Sequence, residues 1–278
     1  MNLVSFDPLR TLHFPPHTVL KPESTLLHQQ SITMADWVLY PPYWLINSLV
    51  FGLKARIFPS LPSYLLGHNK IEMTRAFELV APNNTPFTLI RANTPHHSEM
   101  IWDQMTLPFV AKLVKSSMGE GVFLIEDRTQ WREYCARADV LYAQEYLPID
   151  RDLRIVVLGD EIVRGYWRMQ SPYSFHNNIA RGGEVLEAII PPAAEALVKH
   201  LSSTLGINHA GFDIAMVGDH PYVIEFNRLF GTQGVSQGQI NTADWILPYL
   251  QKELASHNPL SPKPRSPSGR RRRKSNAA

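Results

Sequence analysis

Apolar positions change their period several times along this 278-residue chain, and each change predicts an element. Residues 3–6, 18–20 and 37–40 form short β-type runs separated by Pro-rich and polar turns. A helical pattern at 44–53 follows, so the opening segment predicts a small α/β lobe. Pro59, Pro62 and Gly67 punctuate its end, and residues 70–80 then carry apolar side chains at helical spacing. Residues 87–90 and 109–113 read as strands, the second joined through a Gly-containing turn to a strand at 121–125, as in a β-hairpin. Residues 131–138 are helical in pattern and 140–145 strand-like. Strands at 153–158 and 161–167 flank Gly159-Asp160 as a tight hairpin. A helix over 192–205 begins just after its proline, where a missing N–H costs nothing. Strands at 211–217 and 222–226 and a helix near 244–254 complete the series. No internal repeat is present, so the pattern is mixed α+β with antiparallel hairpins.

Composition narrows the class. A 44% apolar and 19% charged chain of this length can bury a substantial core. The longest apolar stretch, 37–53, is broken by Pro41, Pro42 and Asn47 and is too short to span a bilayer. No basic segment followed by an apolar run and cleavage site opens the chain, so the cytoplasm is the expected compartment. Cys135 alone supports neither a disulfide framework nor a multi-cysteine zinc site. The net charge of +2 conceals Arg270, Arg271, Arg272, Arg273 and Lys274 in a terminal tail, preceded by a Pro- and Ser-rich stretch at 259–269. Such a run is ordinarily solvated and disordered. Without interleaved aromatic residues to stack on bases, nucleic acid is the weaker reading.

Four strings carry candidate chemistry. In the first, a strand ends at Lys112 and a loop of small residues, Ser116, Ser117, Gly119 and Gly121, leads into the next strand. Glycine backbone N–H groups and serine hydroxyls can close over phosphate oxygens while the lysine supplies a point charge. A following strand, and no Gly-Lys-Ser/Thr ending, disfavours a Walker loop; an ordinary flexible turn is the plainer alternative. In the second, Gln144, Glu145, Tyr146 and Leu147 end a strand whose edge could meet an adenine, with Glu145 near the ribose; a plain strand end is the commoner reading of such a string. In the third, Asp152 and Arg154 precede Arg164 and Arg168, which share a strand face. Two such cations need anionic company, phosphate or substrate carboxylate, and Asn178 and Arg181 follow in an Asn-Asn-Ile-Ala-Arg-Gly-Gly string. In the fourth, Asp213 lies on one strand and Glu225 and Asn227 lie two apart on its hairpin partner, so hard oxygen donors can converge on one face, as Mg2+ prefers. Exposed acids on a structural hairpin are the rival reading. It explains Glu225 poorly, because Ile224 and Phe226 flank it.

Taken in order, the four strings resemble the ATP-grasp superfamily, specifically its RimK-like branch of amino-acid and peptide ligases, over roughly residues 65–240. The resemblance implies an α+β ATP-grasp fold, two α+β lobes gripping ATP, preceded by a small α/β lobe over 1–66. The ATP-grasp domain would run over 67–255, with a lid subdomain at about 108–147 and a metal-binding lobe at about 148–255, and a disordered basic tail over 256–278. ATP and Mg2+, with Mn2+ as an alternative, are the implied cofactors. Lys70 and Lys112 would reach the nucleotide phosphates under the lid of Ser116, Ser117, Gly119 and Gly121, with Gln144, Glu145, Tyr146 and Leu147 as the adenine-side hinge. Asp152 and Arg154 fall on an Asp-Ile-Arg position near the nucleotide. Arg168, Asn178 and Arg181 would bind the transferred phosphate and the substrate, and Asp213, Glu225 and Asn227 would hold the metal.

The implied activity is ATP-dependent ligation, in which a small-molecule or peptide carboxylate is activated as an acyl phosphate for attack by an amine. A non-amine acceptor or a catalytically weak nucleotide-binding regulator are the alternatives, and a homo-oligomer is compatible with the chain. Arg228-Leu-Phe-Gly231 replaces the family's usual Ala-Ser-Pro-Gly, which implies a different acceptor pocket. His176 stands where a basic residue is common. Cys135 is expected in the core and not in catalysis.

Overall fold

The computed structural model of the chain describes residues 1–114, 121–169, 185–230 and 241–256. Its opening segment forms a parallel sheet of β1 (Leu3–Ser5), β2 (Thr18–Val19), β3 (Trp37–Leu39) and β4 (Ile57–Phe58), ordered β2-β1-β3-β4, with α1 (Gln29–Met34) on the crossover between β2 and β3. Strands β1, β3 and β4 are buried throughout, as parallel strands covered on both faces must be. The helix expected at 44–53 is instead a 3-10 turn at Tyr43–Leu45 and a π turn at Ser48–Gly52. Leu45, Ile46 and Leu49 alone are buried there, too narrow a stripe to hold a regular helix against the sheet.

Two helices then lead out of this sheet, α2 (Leu61–Leu66) and α3 (Lys70–Val80). Antiparallel strands β5 (Thr88–Ala92), β6 (Phe109–Lys112), β7 (Val122–Ile125) and β8 (Val140–Glu145) make a second sheet, ordered β5-β8-β6-β7. Helices α4 (Pro95–Gln104) and α5 (Arg128–Cys135) pack on it around Ile101, Phe109, Trp131 and Tyr134. Periodicity does not announce α4, because Ile101 is its one buried residue. Its start is set locally, by Pro95 in the first turn and by Thr94, whose hydroxyl accepts from the His97 N–H at 3.2 Å. Cys135 is half-buried beside this core, with its Sγ 3.4 Å from Ser98 Oγ.

The third sheet is the largest, with β9 (Arg151–Leu158), β10 (Glu161–Met169), β11 (Val185–Glu187), β12 (His209–Val217) and β13 (His220–Asn227) ordered β11-β10-β9-β12-β13. Gly159, at φ +68°, turns β9 into β10 under Tyr249, and a Cβ there would lie 2.7 Å from that ring. One face is wholly apolar. Leu153, Ile155, Val157, Phe212, Ile214 and Phe226 pack on Met73 and Phe77 of α3 and on α6 (Pro192–Leu205). The opposite face divides along the strands. Its Leu158 end is apolar and packs with Phe14, Trp37, Phe58 and α7 (Ala243–Ser256), while its Asp152 end is charged. Burial of the apolar end joins the N-terminal sheet to this one, leaving the charged end facing the second sheet's side of the molecule.

Candidate functional site

The site is assembled from strand alternation and register. Across β10, β9, β12 and β13 one row reads Tyr166, Arg154, Asp213, Glu225, with Arg168 opposite Asp152 on one side of it and Gly211 opposite Asn227 on the other. Residues two apart on a strand share a face, so Asp152, Arg154, Arg168, Asp213, Glu225 and Asn227 all project from the same side. The pairing of β12 with β13 shifts between Asp213 and Ile214, which leaves Ile224 as an extra residue beside Glu225. A bulge of this kind bends the strand and re-aims the neighbouring side chain.

Asp213 is buried at the centre of an ion network. Arg154 donates to it through Nε and, at 2.9 Å, through Nη2; Arg168 Nη2 lies 2.9 Å from the same Oδ2 and 2.6 Å from Asp152 Oδ2, while Arg168 Nε donates to Asp152 Oδ1 at 2.7 Å. Two carboxylates and two guanidiniums therefore cancel in charge, which is the condition under which buried ions are tolerated. Burial pushes the Asp213 carboxyl up, but the charges and hydrogen bonds of both arginines outweigh it and hold the group below its usual value. For Asp152, burial and the Asp213 charge outweigh Arg168, and its pKa is raised.

Glycine makes this geometry fit. A Cβ on Gly211 would stand 2.8 Å from Arg154 Cδ and 2.9 Å from its Nη1, with Phe230 Cβ at 3.2 Å behind it. Gly211→Ala is expected to lower unfolding free energy in urea by about 1–3 kcal/mol, because overpacking and displacement of Arg154 outweigh the backbone gain of about 0.4–1 kcal/mol. Stability at or above the parent would show that Arg154 moves aside freely and that the glycine is incidental.

Lysines come to this face from two other elements. Asn69 caps α3, its Oδ1 accepting from the Ile71 N–H at 2.9 Å and its Nδ2 donating to Glu72 at 3.1 Å, which fixes Lys70 as the first helical residue. Lys70 Nζ lies 3.9 Å from Glu225 Oε2. Lys112 ends β6 in a buried position and donates at 2.7 Å to Gln144 Oε1 on β8. Gln144 Nε2 in turn donates to Thr88 Oγ1 at 2.9 Å. Burial draws the Lys112 ammonium down to about 8, with Glu225 and Asp213 raising it and Lys70 lowering it. The charges of both sheets thus meet at this lysine. Helix α3 ties the sheets together a turn later, where the Thr74 and Tyr142 hydroxyls are 2.8 Å apart.

Several of the expected site residues have partners within the protein itself. The anionic company of Arg168 is the protein's own Asp152 and Asp213, and Arg164 Nη2 lies 3.9 Å from Glu187; phosphate is not needed to explain either. Asp152 and Arg154, expected at the nucleotide, are buried with their charges matched inside the sheet. Gln144 is buried and accepts from Lys112, and Tyr146 and Leu147 follow the end of β8. Glu145, expected near the ribose, accepts the Phe87 N–H at 2.7 Å. Gly121 is buried where its carbonyl accepts from Leu113 N–H at 2.7 Å. Ser116, Ser117, Gly119, Asn178, Arg181 and the tail over 257–278 lie outside the described residues. Gly211, Thr74 and Tyr142 escaped the sequence reading. Only Gly211, a glycine inside a strand two residues before Asp213, left a local signal.

This architecture, antiparallel sheets meeting over lysines and acids, is that of the ATP-grasp fold. The chain superposes on the RimK-domain ATP-grasp protein of Sphaerobacter thermophilus DSM 20745 with a TM-score of 0.68 at 14% identity, over 90% of this chain and 99% of that one. D-alanine–D-alanine ligase of Bacillus anthracis gives a TM-score of 0.68 at 12% identity, over 93% and 100%. The profile of the RimK-like ATP-grasp domain matches residues 69–250, and the chain belongs to that family. A protein of Shewanella frigidimarina (strain NCIMB 400), named probable alpha-L-glutamate ligase 2, is 29% identical over 153 residues. That match covers 52% of this chain and 51% of the relative, so the chain spans about half the length of this curated relative. Among the described residues no helix is long and apolar enough to cross a membrane.

Proposed function

We propose that the chain is an ATP-dependent carboxylate–amine ligase whose nucleotide lies between the second and third sheets, gripped by a lid subdomain at about 108–147 and a lobe at about 148–255. The observation that carries this is the convergence of Lys70 and Lys112 on the face bearing Asp213, Glu225 and Asn227. The donor set fits Mg2+. Glu225 and Asn227 are partly exposed oxygen donors two apart on β13, and Asp213 keeps an acceptor position on Oδ1 beyond its three guanidinium contacts. Mg2+ when bound would neutralise phosphate charge, with water and nucleotide oxygens filling the shell that these residues leave open.

The chain's own groups then bind and orient. Lys70 and Lys112 take phosphate oxygens, the backbone of Tyr146 and Leu147 offers an edge to adenine, and the loop of Ser116, Ser117 and Gly119 covers the phosphates. Arg168, held rigid by Asp152 and Asp213, faces the transferred phosphoryl group together with Asn178 and Arg181. The substrate carboxylate attacks the γ-phosphorus and the bond to the ADP oxygen breaks. An amine then attacks the acyl carbon, loses its proton and expels inorganic phosphate. Positioning and charge neutralisation supply the acceleration, and no covalent nucleophile of the protein is required.

ADP release with Mg2+, measured across pools of amino acids and small carboxylic acids, tests the reading. Release is expected to require an acid and an amine together. Glu225→Ala is expected to reduce it by more than the roughly 10–100-fold that losing an outer partner of a metal ligand costs. Turnover unchanged in that variant removes the metal assignment, and nucleotide binding without turnover in any pool makes the chain a regulator.

A further inference from the structure

Beside the site, Arg228 stands against aromatic rings. Arg228 follows Asn227 directly, and its guanidinium sits 4.9 Å from the centroid of Tyr64 and 5.4 Å from that of Tyr43. Among the described residues no carboxylate approaches it within 4 Å, in contrast to Arg154 and Arg168. Nor can the adjoining stretch 229–240 provide one, since it contains neither Asp nor Glu. The residue is held firmly from behind. His209 Nδ1 is 2.6 Å from the Arg228 carbonyl, and burial draws that imidazole down to about 3, so it is neutral and donates. Tyr43 stacks on His68 with centroids 3.7 Å apart, and His68 lies two residues before Lys70, whose Nζ is 3.9 Å from Glu225 Oε2.

The surroundings point to a ligand. In the order β2-β1-β3-β4 the chain leaves β1 in one direction and returns on its other side, so β1 and β3 flank a switch point, where open parallel sheets bind ligands beyond the carboxyl ends of their strands. Arg10 follows β1 there, over the Tyr40 ring at 5.7 Å, and Tyr40 itself follows β3. The charges of Arg10 and Arg228 both reach Tyr64. Asp7, 3.4 Å from Arg10 Nε, offsets Arg10 and leaves Arg228 the stronger anion receptor. A guanidinium pinned between rings presents its remaining N–H groups in a fixed fork, which suits a planar oxyanion better than a lysine would.

We infer that Arg228, assisted by Arg10, forms a specificity subsite for an oxyanion of the substrate, a carboxylate or phosphate distinct from the carboxyl group being activated. As a specificity element it rests on the ligase reading; as a binding site it stands alone, and the experiment separates the two. Glutarate and inorganic phosphate are titrated calorimetrically into the full chain with Mg2+ and a non-hydrolysable ATP analogue occupying the nucleotide site. In parallel, ADP release is compared for glutamate, glutamine and O-phosphoserine. Arg228→Gln is expected to weaken glutarate or phosphate roughly tenfold or more, and Arg10→Gln by less. Whichever probe responds identifies the anion, and the variant's KM is expected to rise for the matching acid but not for glutamine. Binding lost in Arg228→Gln with no ADP release from any pool keeps the subsite and sinks the ligase. If neither probe binds the parent chain, or if the variant lowers Tm while binding and KM ratios stay at parent values, Arg228 is a strut between the N-terminal sheet and β13, and the subsite is overturned.

Discussion

Asp213→Ala is expected to lower the unfolding free energy by about 3–5 kcal/mol, the typical cost of removing one partner from a buried ion pair. Arg154 and Asp213 have side chains only 7% and 6% exposed, so solvent cannot screen the charge left behind. The loss comes from the stranded guanidinium of Arg154 more than from missing attraction, and this has its own signature. Replacing both partners, Asp213→Leu with Arg154→Met, is expected to recover most of the stability while leaving Arg168 paired to Asp152. Urea unfolding of parent, single and double variants measures it. A single-variant loss under about 1 kcal/mol would mean that water or a rearranged Asp152 solvates Arg154, and the network would not be the rigid element the site is built on. Glu225→Ala is the contrasting case. Its contact to Lys70, at 3.9 Å and part-exposed, contributes at most about 1 kcal/mol, so its effect is expected in turnover and not in stability.

Lys112→Met is expected to weaken MgATP binding and slow ADP release by about a hundredfold, in the range found when a positioned charge donor is removed from an active site. The pH dependence is the more discriminating test. Burial lowers the ammonium to about 8, so in the free protein Lys112 is charged below that pH and increasingly neutral above it. Bound phosphate favours the charged form. Nucleotide affinity is therefore expected to be full below pH 8 and to fall by up to about tenfold per unit above it. The Met variant should be flat over the same window. For folding the sign is opposite: the native state disfavours the protonated lysine, so this penalty is present below pH 8 and relieved as pH rises toward the usual 10.5. Affinity that stays constant from pH 7 to about 9.5, with the parent intact, would place Lys112 away from the phosphates.

The legibility of the site varied residue by residue, for physical reasons. Glu225, an acid between Ile224 and Phe226 and two residues before Asn227, was readable because strand alternation puts both donors on one face whatever the strand pairs with. Lys112 was readable as the last residue of an apolar strand before a small-residue loop. The use of Arg154, Asp152 and Arg168 was not. Their partners are chosen by cross-strand register, which sets Asp152 against Arg168 and Arg154 against Asp213, and no local pattern contains that choice. Gln144 reads as a strand end, and its acceptance from Lys112 is a contact between residues 32 positions apart that no local pattern contains.

The strands at 153–158, 161–167, 211–217 and 222–226, the helical stretch at 70–80 and the two-residue spacing of Glu225 and Asn227 were determined by the sequence alone, since period and turn residues act over a few positions. Tertiary structure decided which charges are matched inside the protein. Arg154 and Arg168 became internal and Arg228 was left facing Tyr43 and Tyr64, because pairing across a sheet and burial between sheets depend on atoms far apart in the chain.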